Sequence, residues 1–212
     1  MKMCGDFLKN LLLIGDSIRM GYDKTIKKVL EGKVNVIFPD ENCRFAAYVF
    51  RNFYEWIGNV NGSDIDVIHW NVGLWDILRL FGDEPETPIN IFEYYIDRIC
   101  LRMKKLCPNA TIIFANCTSV VSEKAHPDFM RRNDDVIRYN KVAEKIVKKH
   151  GFEINDLYSF SLTLDDEARS DAFHFYTDIG TNAITNKVLE CVLPALGIEE
   201  KMEYFGGHIP NE

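Results

Sequence analysis

Short, uniformly apolar runs alternate with longer segments of helical period, and this alternation constrains the fold more than any other feature of the chain. The runs are residues 11–14 (LLLI), 34–38 (VNVIF), 66–70 (DVIHW), 111–115 (TIIFA) and the short 152–154. Apolar, β-branched runs of this length suit parallel strands covered on both faces. Between them, apolar positions recur at three and four: Phe45, Val49, Phe50, Phe53, Trp56 and Ile57 form one set, and Ile91, Tyr95, Ile99, Met103 and Leu106 another. Val136, Asn140, Ala143 and Val147 follow the same period, as do Ala183, Ile184, Val188, Leu189, Val192 and Leu196. A weaker amphipathic helix is expected over 20–30. Gly32, Gly58, Pro108, Gly151 and Gly197 each follow a last periodic residue, where helices stop. Five strands alternating with five helices predict an α/β fold, a three-layer α/β/α sandwich around a flavodoxin-like, five-stranded parallel sheet with right-handed crossovers. The expected domain spans 1–198, followed by an acidic tail over 199–212 that offers peripheral packing or an oligomer contact.

Composition narrows the classes further. Among 212 residues, Lys plus Arg number 25 and Asp plus Glu 32, a net charge of −7. With no basic stripe, a nucleic-acid partner is not expected, because phosphate neutralisation supplies most of that affinity. The apolar run at 11–14 ends at Gly15, far short of the roughly 20 residues of a membrane helix, and the polar start MKMCGDFLKN does not read as a signal peptide. A cytoplasmic protein without membrane partners is the expectation. The six cysteines form no C-x-x-C and none stands at zinc-finger spacing with a histidine, so reduced and mostly buried thiols are expected, with no metal.

In sheets of this kind the chemistry lies beyond the carboxyl ends of the strands. After the first run comes Gly15-Asp16-Ser17-Ile18. A serine there serves as an N-cap or as a nucleophile near free backbone N–H groups. A serine hydroxyl is a weak nucleophile and needs a base. Of the five histidines, His69 sits inside the third run and reads as a packed residue, His126 lies in a polar loop, His150 ends a helix and His208 belongs to the tail. His174 stands just before the last helix, with Asp171 three residues upstream. One turn of chain can set that carboxylate against one imidazole nitrogen while the other faces the serine. Cys43, before the second long helix, is a rival nucleophile.

Taken together, the block LLIGDSI over residues 12–18 and Asp171-Ala172-Phe173-His174 resemble the SGNH/GDSL hydrolases over nearly all of residues 10–196. The resemblance implies an esterase or acylhydrolase with Ser17 as nucleophile, His174 as base, Asp171 as its orienter and no cofactor. Two other blocks depart from the family pattern. The third block, G-x-N-D in the family, reads Gly73-Leu74-Trp75-Asp76, with Trp75 where an asparagine donates to the oxyanion. Loss of one such donor typically costs about 2.7–4 kcal/mol of transition-state stabilisation. Asn71, on the same strand face as Gly73 and Trp75 if the strand continues, and the Trp75 indole N–H are candidate replacements; Trp75 as a pocket wall is the alternative. The second block lacks its glycine: the loop reads PDENCRFA over 39–46. A backbone N–H from Arg44 to Ala46 can still serve, and Asn42 either points its amide into the site or caps the following helix.

Specificity is read from the loops. The polar connection 121–133 (VSEKAHPDFMRRN) lies over the same edge as a lid, and its Arg131 and Arg132 are positioned for a carboxylate or sugar hydroxyls. Tyr22, Trp75 and Phe129 are the expected aromatic platform for a sugar ring. No long apolar tunnel is evident, so the expected substrate is a small ester or acylated carbohydrate with a short acyl group. A histidine base predicts activity that falls below roughly pH 6.5. Three other readings stand: a thioesterase or lysophospholipase of the same family, a carbohydrate-binding member that has lost catalysis, and an unrelated nucleotide-binding module, which Asp16 disfavours by repelling phosphate.

Overall fold

Leu11, Leu12, Leu13 and Ile14 are wholly buried, so successive side chains meet cover on both faces of their strand. That is the signature of a central strand, and the sheet bears it out. A computed structural model describes residues 8–58 and 60–210. Along the chain come β1 Lys9–Ile14, α1 Ser17–Met20, α2 Asp23–Val29, β2 Val34–Ile37, α3 Ala46–Trp56, β3 Val67–Trp70, β4 Arg79–Leu80, α4 Ile89–Leu106, β5 Thr111–Ala115, β6 Phe129–Met130, α5 Asn133–Lys149, β7 Glu153–Asn155, α6 Leu157–Leu162 and α7 Asp178–Ala195. Strands β2, β1, β3, β5 and β7 form one sheet in that order, all parallel. Counting these five alone, the order is 2-1-3-4-5, the flavodoxin-like doubly wound arrangement. Helix α4 packs against α3 and α5 in one layer, and α7 against α2 and α6 in the other.

The register positions the site. Leu11 pairs with Val67 and Ile14 with Trp70, so β1 and β3 end level with each other. The chain runs from β1 to a neighbour on one side and later to β3 on the other, and that change of direction opens the crevice in which such folds bind ligands. The Asn71 N–H donates to the Ile14 carbonyl, extending the pairing by one bond before the two chains diverge.

The five expected strands are present, with ends shifted by a residue or two, and so are the four strongly periodic helices. The helix expected over 20–30 is instead two, α1 and α2, broken at Gly21 and Tyr22. There the N–H groups of Gly21 and Tyr22 tighten onto the carbonyls of Ile18 and Arg19, and Tyr22 turns wholly inward. Two elements had no sequence counterpart: the short helix α6 and the antiparallel ribbon of β4 with β6. The segment over 199–210 folds back on α7, with Tyr204 buried and its backbone N–H and C=O both bound to the Asn186 side chain. Cys43, Cys100, Cys107, Cys117 and Cys191 are unpaired and the first four are buried; Cys4 lies outside the described residues. Among the described residues no helix is long and apolar enough to cross a membrane.

Candidate active site

Two residues, Gly15 and Asp16, separate the last buried position of β1 from Ser17, and both are constrained. A Cβ on Gly15 would lie 1.9 Å from Asn71 Oδ1, so only glycine lets β1 pass the end of β3 here. Asp16 is the N-cap of α1: its Oδ1 accepts from the Ile18 N–H at 3.0 Å and from Asn71 Nδ2 at 2.9 Å. Ser17 is then the first helical residue, half-exposed, with its N–H unengaged among the described residues. Because α1 is a single turn, the groups available at Ser17 are individual N–H donors.

His174 and Asp171 reach Ser17 from the loop before α7. His174 Nε2 stands 2.7 Å from Ser17 Oγ and its Nδ1 2.7 Å from Asp171 Oδ2. The other Asp171 oxygen accepts from the N–H groups of Phe173 and His174, at 2.7 and 2.9 Å, so the D-x-x-H segment is one closed turn. Burial pushes the Asp171 carboxyl up, but those N–H donors and the imidazole outweigh it and hold it below the ordinary carboxylate range. It is thus an anion, suited to orienting the ring and to stabilising an imidazolium.

Tyr176, which the sequence did not flag, completes the arrangement. Its ring stacks on His174 at 4.8 Å, its hydroxyl donates to the Ser17 carbonyl, and His208 stacks on its far face at 4.9 Å. The only local signal was an aromatic two residues past the histidine, which carries no chemistry by itself.

Of the groups expected to receive an oxyanion, some have partners of their own and some do not. The strand ends at Trp70 and Gly73 turns through φ +140°, with Cys117 Sγ where a Cβ would be, so the expected shared face of Asn71, Gly73 and Trp75 does not form. Asn71 is buried, its amide directed to Asp16. Asn42 uses its Oδ1 to accept from the Arg44 N–H at 2.8 Å, holding Arg44 in the left-handed region at φ 50°; Phe45, not Asn42, is the N-cap of α3. In the Arg44–Ala46 stretch the Ala46 N–H is bound by both Asp76 oxygens, at 3.2 and 3.1 Å, and only the Phe45 N–H has no partner among the described residues. Trp75 is half-buried and meets Phe129 edge-on at 6.4 Å.

Other expectations change. Tyr22 is not part of an aromatic platform: it is fully buried, its hydroxyl 3.2 Å from His69 Nδ1, and the ring that joins Trp75 and Phe129 is Phe173. His69 is a core residue, as expected, with Nε2 3.1 Å from Asn155 and its pKa pushed down to about 3 by burial. Burial pushes the Cys43 thiol up to about 11, which disfavours it as a nucleophile at neutral pH. The 121–133 connection is tied down at several points: Val121 N–H to the Ala172 carbonyl, Ser122 Oγ to the Arg131 carbonyl, and Phe129–Met130 to Arg79–Leu80.

Two buried acids underlie the site. Burial pushes Asp76 up to about 7 against the opposing hydrogen bonds of Thr87 and Ala46. Burial also raises Asp16, opposed by Asn71 and the Ile18 N–H, and its Oδ2 has no partner. Arg19, fully buried and ion-paired with Asp23, donates to the carbonyls of Pro39 and Glu41 and so pins the loop after β2 beside α1. Among the described residues no three His, Cys, Asp or Glu side chains cluster as a metal site.

No family model and no curated protein sequence matches the chain. Solved structures do match its shape. An acetyl xylan esterase superposes with a TM-score of 0.66 at 17% identity, over 86% of this chain and 99% of that one. A lipase/acylhydrolase from Enterococcus faecalis gives 0.65 at 17% identity, over 86% and 94%. An acetylxylan esterase from Geobacillus stearothermophilus gives 0.62 at 17% identity, over 90% and 95%. The parallel sheet, its strand order and these superpositions together give the chain the fold of the SGNH/GDSL hydrolases.

Proposed function

We propose that this chain is a serine esterase that removes short acyl groups, acetyl above all, from a small or carbohydrate ester through an acyl-enzyme at Ser17. The observation that carries the reading is the unbroken relay from Ser17 Oγ through both nitrogens of His174 to Asp171, with both links at 2.7 Å. Nucleophile, base and orienter within hydrogen-bond reach of one another are what acyl transfer requires. Similar structures described as acetyl xylan esterases and as a lipase/acylhydrolase agree with it.

Ser17 Oγ attacks the ester carbonyl as its proton passes to His174 Nε2, and the Asp171 carboxylate steadies the imidazolium. The N–H groups of Ser17 and Phe45 receive the oxyanion. The alcohol departs with the proton from His174, and water then attacks the acyl-enzyme by the same path to release the acid. The test is labelling by a fluorophosphonate probe together with 4-nitrophenyl acetate hydrolysis, in the wild type and in Ser17→Ala. Label and turnover that disappear together in the variant support the reading; a wild type that does neither overturns it. A second reading, sugar binding without turnover, is favoured by one feature: Trp75 stands where the family's oxyanion asparagine would be, and the Asn71 amide already donates to Asp16. Acetylated xylo-oligosaccharide that binds Ser17-intact protein without being hydrolysed would support it.

A further inference from the structure

Arg131 is only 4% exposed, yet its guanidinium has no carboxylate within ion-pair distance among the described residues. Arg19, the other buried arginine among the described residues, is paired with Asp23. A buried charge without a counterion is expensive to hold. Arg131 is held by other means. Its Nε donates to the Leu74 carbonyl at 2.5 Å, and its guanidinium lies over the rings of Phe173, Phe129 and Trp75 at 4.5, 4.9 and 5.7 Å. Both terminal nitrogens lack a hydrogen-bond partner among the described residues, although neither is sealed from solvent. The cluster adjoins the candidate catalytic residues: Phe173 precedes His174 and meets its ring at 6.4 Å, and the charges of Asp16 and Asp171 act on Arg131.

We propose that Arg131, framed by Trp75, Phe129 and Phe173, anchors a carboxylate on the substrate, so that the ester cleaved at Ser17 is an O-acylated acid such as an acetylated sugar acid. This rests on the esterase reading above. An arginine with its faces covered by rings and its nitrogen edge unoccupied presents a planar fork, which matches a carboxylate bidentately. The rings supply an apolar wall for the body of a sugar. The nearby Asp16 and Asp171 charges favour a monoanion over a dianionic phosphate. In a chain of net charge −7, an anionic substrate also needs a local cation to enter such a site.

The experiment measures acetate release from 3- and 4-acetoxybenzoate and from the matching acetoxybenzamides, each kcat/KM divided by the hydroxide-catalysed rate. The wild type is expected to prefer the carboxylates at least tenfold. Arg131→Met should bring that ratio to within twofold of unity, and Arg131→Lys should keep part of it. Equal wild-type rates on acid and amide overturn the proposal. So does an equal loss on both in Arg131→Met, which would instead make Arg131 a scaffold or oxyanion group. Calorimetric binding of the same pairs to Ser17→Ala protein, with and without Arg131→Met, distinguishes the outcomes even if no ester is turned over. Tighter binding of the acid that depends on Arg131 supports the anchor although the esterase reading has failed, and equal binding of acid and amide overturns the anchor. If Arg131→Met does not fold, the wild-type ratio and its partial retention in Arg131→Lys test the anchor in its place.

Discussion

Gly15 and Asn71 compete for one volume, and the nucleophile's position depends on glycine yielding it. Gly15→Ala forces the Asn71 amide off Asp16 and is expected to cost about 1–3 kcal/mol, as overpacking does. Adding Asn71→Ala should recover part of that loss, so a double-mutant cycle in urea will show strong coupling; additive effects would mean the two do not share the space. At the other end of the relay, Asp171→Asn keeps the shape but no longer enforces the Nδ1–H tautomer of His174. Steady-state kinetics should show kcat reduced on the order of 10⁴-fold. Ser17, Asp171 and His174 were legible because their side-chain types stand at fixed distances from strand and helix ends, and the structure brings them together. Tyr176 and Arg19 were not. Their roles are stacking and clamping of carbonyls 20 and more residues away, which leave no local pattern.

Among the elements, the loops after β2 and β3 are coupled by one carboxyl, Asp76, which holds the Ala46 N–H. Its pKa in the folded chain is about 7, against about 4 for an ordinary aspartate. Between those values the folded chain keeps a proton that the unfolded chain has released, so this group's stabilisation is greatest below pH 4 and is lost as pH rises towards 7. Asp76→Asn, which keeps an acceptor for Ala46, should flatten that part of the profile. Urea midpoints for both proteins between pH 4.5 and 8 measure it, and parallel profiles would contradict the assignment. The strands and long helices were readable because burial on both faces or on one stripe leaves a period. The β4–β6 ribbon has two residues per strand and α6 six residues, too few for any period to emerge. The break between α1 and α2 comes from Tyr22 seeking His69 across the core, a tertiary demand that overrides local pattern.

For the molecule as a whole, the C-terminal segment belongs to the site's support. Its Tyr204 is buried against α7 and its His208 backs the Tyr176 ring that packs on His174. Deleting residues 199–212 removes about 2 kcal/mol of apolar burial, and calorimetry should show a midpoint lower by about 4–8 °C. The sequence marked this segment as peripheral, since its contacts lie in tertiary structure alone. The distance along the chain between the two halves of the relay has a consequence for the protein's birth. Ser17 leaves the ribosome 157 residues ahead of His174. At translation rates of roughly 5–20 residues per second, the nascent chain carries an unactivated serine for about 8–30 s. On the proposed function, the relay can assemble only once His174 has been made, so a product terminated before that residue would be catalytically silent rather than indiscriminate.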